Sequence, residues 1–325
     1  MIKRLKKYTH YERQKGVEKM LNKMDEKIKL WVLRANACDS FENNSAFDAL
    51  FGDFYTNALG DELKRLDECE KKGKIATNEV LEKNLKYLSL VMGLNNDEKK
   101  ILEFLICLKS ISVLNDIFRD CIVNSFSCFS KIAMILALSE ESVKVALSYQ
   151  SKLVKSEIIK PYKDCSNFDL AHAFDFGFEY FAFIMFENSS LEDMTNENIR
   201  QIDSSEIKTT TNVDEILALI AKKPNANILL KNKEICKQVA NRLESRLYEL
   251  VYSSNRFYSR LDAFFAANAL LDSKNSVLMV DEIDDIFNEK TPKALIKRIL
   301  SENALPTFWL SDECEFSKYF DMVVG

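Results

Sequence analysis

The chain of 325 residues carries 45 basic and 50 acidic side chains, a net charge of −5, with 47% hydrophobic and 29% charged residues. This balance gives no overall positive field for DNA or an anionic membrane, and the apolar share argues against a disordered chain. Seven glycines and four prolines predict long helices with short connections rather than an all-β fold, and the length suffices for two domains with separate cores.

The first residues, MIKRLKKYTHYERQKG, are basic but lead into no apolar run, so no secretory signal is expected. From Val17 to about Arg34 the apolar residues Val17, Met20, Leu21, Met24, Ile28, Trp31 and Val32 recur at helical spacing, which predicts one amphipathic helix. A second runs from Asn78 through Leu81, Leu85, Leu88 and Val91, and Gly93 stands where a left-handed cap would end it. Asn95 followed by Glu98 reads as a capping box that opens a third helix, Lys99 to Leu108.

Between residues 127 and 160 the pattern becomes helix (Ser130 to Leu136), tight turn (Ala137, Leu138, Ser139) and helix (Glu140 to Tyr149). Short apolar segments follow near Leu153–Val154 and Ile158–Ile159, completing the order of a winged helix-turn-helix with a small ribbon. Nucleic acid is not the expected partner. The second helix opens on Glu140 and Glu141 and offers Lys144 alone as a cation, whereas phosphate contacts dominate affinity for nucleic acid. The apolar run Leu170 to Phe186 is too short to span a membrane and contains Asp175 and Glu179, so an aromatic-rich core helix is expected there.

Glu187 to about Asp214 is polar and reads as a linker, which puts the domain division near 190. Beyond it, strand-like runs at Ala226–Leu230, Leu247–Val251, Val277–Val280, Pro306–Ser311 and Phe320–Val324 alternate with helical ones at Glu234–Leu243, Arg260–Leu271 and Pro292–Ser301. That rhythm predicts a parallel α/β sheet over residues 191–325, with ligands at the carboxyl ends of its strands. The third run delivers Asp281 and then Glu282 at its tip, in NSVLMVDEIDDIF. Paired carboxylates so placed suit magnesium–nucleotide chemistry, one holding the metal shell and the other polarising water. Yet no glycine occurs from Phe178 to Val324, so this half has no glycine-rich phosphate loop.

Eight cysteines lie scattered at Cys38, Cys69, Cys107, Cys121, Cys128, Cys165, Cys236 and Cys314, with no CxxC pair and only His10 and His172 as imidazoles. Neither a zinc site nor a Cys/His nucleophile is expected, and buried thiols of this kind fit a reducing cytoplasm.

The succession ANILL, LYELV, SRLDAFFAANALLDSKNSVLMVDEIDDIF, ALPTFWLSD and YFDMVV resembles the core of an AAA+ ATPase. In that resemblance the segments are the phosphate-loop strand, the second strand, Walker B, sensor 1 and the strand after the arginine fingers. A bacterial group of that family with a long helical N-terminal region is similar over nearly the whole chain, including KIKLWVLRANA and LSLVMGLNNDEKKILEFLICL. The resemblance implies a P-loop-NTPase-like sheet, ATP and Mg²⁺ as cofactors, hexameric assembly, a cytoplasmic location and an unnamed protein substrate.

By the same resemblance Asp281 is the magnesium-coordinating acid and Glu282 the water-polarising one. The phosphate loop, GxxxxGK[ST], belongs between Leu230 and Glu234, where only Lys231, Asn232 and Lys233 stand. Lys233 is either the remnant of the motif lysine or a surface lysine. Sensor 1 falls on Asp312 in place of Asn, and the arginine-finger pair on Lys318 and Tyr319. The sequence ends at Gly325 without the lid that closes over the nucleotide in the family, so the core is read as truncated. The expected activity is ATP binding and hydrolysis in impaired form. The alternative is a non-enzymatic scaffold that binds a protein or nucleic acid.

Overall fold

The structure, a computed structural model, describes residues 25–37, 41, 44–51, 56–75, 78–124, 127–156, 158–161, 168–177, 181–187, 198–204, 213–251, 260–281, 283, 287, 291–311 and 316–324. It divides into two compact units, Met1–Ser189 and Ser190–Gly325.

The first unit is built on helices. Asp25–Asn36 buries Ile28, Leu30, Trp31, Val32, Leu33 and Ala35, so it is covered nearly all round. It packs against helices Thr56–Lys71 and Ser127–Leu136. Trp31 meets Phe104 edge-on at 5.3 Å, and Phe104 meets Phe118 the same way at 5.7 Å, the geometry the ring quadrupoles favour. Arg34 is buried among these helices with its charge answered on three sides. Its guanidinium donates to Asp67 at 2.7 Å, to Glu70 at 2.6 Å and to the Ile135 carbonyl at 3.1 Å. A buried cation without those acceptors would carry the full cost of desolvation.

Helix Glu79–Met92 starts and stops on local side-chain chemistry. The Asn78 side chain accepts from the Val80 and Leu81 amides at 3.0 Å, and Gly93 ends the helix at φ 63. That left-handed conformation is open to glycine without a Cβ clash. The Lys152 ammonium donates to the Gly93 carbonyl, placing a cation on the negative helix end. Asn95 and Glu98 form the reciprocal capping box that opens Asn96–Ser110.

Helices Ser127–Leu136 and Glu140–Ala146 are joined by a turn in which Ala137 takes φ 50 and the Leu138 amide donates to the Ala133 carbonyl. Four short strands accompany them: β1 (Ile122–Val123), β2 (Ile159–Pro161), β3 (Phe168–Asp169) and β4 (Phe174–Phe176). β1 pairs with β3 and β2 with β4, both antiparallel. Two expectations are corrected. Leu153 and Val154 belong to a helical turn, Lys152–Lys155, because the Ser151 hydroxyl caps it by accepting from the Val154 amide. The run Leu170–Phe186 is not one helix. It splits into a 3-10 turn (Leu170–His172), β4 and the helix Phe181–Ile184, because β4 takes its hydrogen bonds from Ile159–Pro161 and the Gly177 amide donates to the Ile158 carbonyl. No helix among the described residues is long and apolar enough to cross a membrane.

The second unit is an α/β fold around one six-stranded sheet. Its strands are β5 (Ile199–Ile202), β6 (Asn227–Leu230), β7 (Arg246–Leu250), β8 (Ser276–Val280), β9 (Thr307–Leu310) and β10 (Met322–Val324), in spatial order β10-β6-β9-β8-β7-β5. All pairings are parallel except β5 with β7. Every residue of β6, β8 and β9 is buried, as interior parallel strands covered on both faces require. On one face Ile228, Leu230, Val277, Met279, Phe308 and Leu310 pack under the helices Val213–Lys222 and Lys233–Arg242. On the other, Trp309 lies 5.1 Å from Phe264 and stacks on Phe287 at 5.3 Å.

The stretch expected as linker contains an edge strand. β5 buries Ile199 and turns Arg200 and Gln201 outward, with Arg200 paired to Glu249 at 2.6 Å across the β5–β7 ladder.

Candidate functional site at the carboxyl rim of the sheet

The rim is laid out by strand register. Leu250 pairs with Val280, Val280 with Trp309, and Leu310 with Leu230, so the segments that follow these residues emerge along one edge. β9 stands between β6 and β8, which sets the ends of β6 and β8 two strand spacings apart, about 10 Å.

At the end of β6 two residues, Lys231 and Asn232, connect to the helix that begins at Lys233. The Asn232 side chain accepts from the Glu234 amide at 2.9 Å, and its carbonyl from the Ile235 amide at 3.2 Å. Amides that a phosphate-binding helix would offer to a ligand are therefore held by the chain itself. Glu234 adds a carboxylate to the first turn, paired with Lys237 at 2.8 Å, and offsets the positive end of the helix. Lys233 is exposed at the start of this turn. A connection of this length cannot wrap backbone N–H groups around two phosphates, and the residues present do not fit a magnesium–triphosphate group.

Asp281 follows β8 directly and is exposed. Alternation along the strand sends it toward the face opposite Val280, where Cys236 lies buried. Burial pushes the Cys236 thiol well above its ordinary range, and the Asp281 and Glu234 carboxylates push it further the same way. A buried thiol shifted in this direction stays protonated and unreactive. Among the described residues no group of three His, Cys, Asp or Glu could hold a metal ion. Glu282 and Asp312, expected as the water-polarising acid and the sensor, lie outside the described residues.

Lys318 and Tyr319 form a 3-10 turn before β10, with the Lys318 ammonium 5.4 Å from the Tyr319 ring. β10 runs parallel to β6, so this turn leads into the amino end of the sheet, where Asp321 accepts from the Asn227 amide at 2.7 Å and pairs with Lys223 at 2.6 Å. Within one chain, Lys318 and Asp281 are at opposite ends of the strands.

Two rim groups escaped the sequence reading. The Asn198 side-chain amide and the Ser311 hydroxyl are buried and find no hydrogen-bond partner among the described residues. Asn198 is fixed by its carbonyl, which accepts from the Val251 amide, and Ser311 by its own amide, which donates to Leu230. Ser311 follows Leu310 and so lies on the Trp309 side, away from the face toward which Asp281 points. The polar residues before Asn198 gave no cue to its burial, and Ser311 was legible only as the end of the run Pro306–Ser311.

In the helical unit, helix Glu140–Ala146 has its cation committed, since Lys144 pairs with Glu140 at 2.6 Å. The bond to the Glu140 carboxylate raises the Lys144 pKa. Beside it Val145 and Tyr149 are 58% and 61% exposed, which makes this surface more apolar than basic. No protein-family model, curated protein or solved structure matches the chain.

Proposed function

We propose that the second unit is an AAA+-type core impaired in ATP binding and hydrolysis, and that residues 127–160 form a winged helix-turn-helix. Support for the first part comes from topology. The sensor-like strand β9 lies between the phosphate-loop-like strand β6 and the Walker-B-like strand β8, so a nucleotide at the tips would meet all three. By the resemblance Asp281 and Glu282 would be the metal-binding and water-polarising acids, with Lys233 and Asp312 at the lysine and sensor positions, but the shortened connection leaves no phosphate cradle for them to act beside. Assembly into a hexamer and a cytoplasmic location belong to the same reading. The observation that carries the impairment is the two-residue connection closed by Asn232.

A scaffold role is the second reading, favoured by the apolar side chains Leu90, Val145 and Tyr149, which are 82%, 58% and 61% exposed. A protein partner suits that surface better than nucleic acid, because Glu140 already occupies Lys144. Calorimetric titration of the full chain with Mg-ATP tests the impairment. No binding heat is expected, and micromolar affinity would overturn it. Glu282→Gln separates the two readings, since it removes the acceptor charge while keeping shape. Turnover present in the parent and abolished by this substitution would sink the scaffold reading; identical baselines would favour it.

A further inference from the structure

We draw no further inference here: the strongest candidate, the row of polar side chains Asn198, Asp281 and Ser311 at the carboxyl rim of the sheet, belongs to the site already described, and its buried groups do not converge on one point.

Discussion

The helical unit buries charge, whereas the α/β unit buries neutral polarity. In the first, Arg34 is 9% exposed between Asp67 and Glu70, and Lys27 meets Glu103 at 2.6 Å with side chains 15% and 9% exposed. In the second, a cluster of neutral groups lies at the amino end of the sheet. Asn227 donates to the Leu300 carbonyl and accepts from the Trp309 indole at 3.0 Å and from Asn303 at 3.1 Å, while Thr307 donates to Asn303 at 3.0 Å. An ion network fixes the angles of packed helices through long side chains. An amide cluster completes hydrogen bonds at strand ends that would otherwise be buried unmade. The two devices differ in what their loss should cost.

The largest expected effect is at Arg34. Arg34→Met keeps the apolar stem but strips three acceptors of their donor. Breaking a buried pair costs roughly 3–5 kcal/mol, and partial exposure of Asp67 and Glu70 lets them rehydrate, so a loss of about 3 kcal/mol is expected. The chain's two tryptophans allow the loss to be located, because Trp31 lies in the helical unit and Trp309 in the α/β unit. In urea titrations of single-tryptophan backgrounds, the Trp31 midpoint should fall further than the Trp309 midpoint. Equal shifts would break the comparison.

Asn227→Ala should act in the other direction. It leaves the Trp309 indole and the Leu300 carbonyl unpaired, which costs about 2 kcal/mol read by Trp309 fluorescence. A shift under a quarter of that would mean that water replaces the amide. Gly93→Ala comes next, at about 1 kcal/mol on the Trp31 transition, because φ 63 is unfavourable for an L side chain. The added Cβ would also come within 3.2 Å of the Lys152 ammonium, a flexible group that can move aside. Asn232→Ala is smallest, about 0.5 kcal/mol, as an exposed cap whose amide water can reach.

Legibility in the sequence followed how local the determining interactions are. Asn78, Gly93 and the Asn95–Glu98 pair announce helix ends because each acts on backbone within four residues. The apolar runs of β6, β8 and β9 were legible because strands buried on both faces need no alternation. β5 was not, since Ile199 is its one fully buried residue and its ladder lies with a strand some fifty positions later. The aromatic run after Leu170 likewise carried no period that could reveal pairing with Ile159–Pro161. At the rim, the position of Asp281 at a strand tip was readable from four apolar residues and an acid. The cap by Asn232 was not read, because that residue stood only as part of the shortened loop, and the burial of the Asn198 amide and the Ser311 hydroxyl depends on neighbours brought by tertiary packing.

On the proposed reading the helix end after β6 is closed to phosphate by its own side chain. Amide resonances of Lys231 to Glu234 in the ¹⁵N-labelled full chain, followed through a titration with Mg-ATP to millimolar concentration, report on it directly. These resonances are expected to stay in place, with the Glu234 amide held by Asn232 throughout. Saturable movement of the Lys233 and Glu234 amides, with micromolar half-saturation, would contradict it.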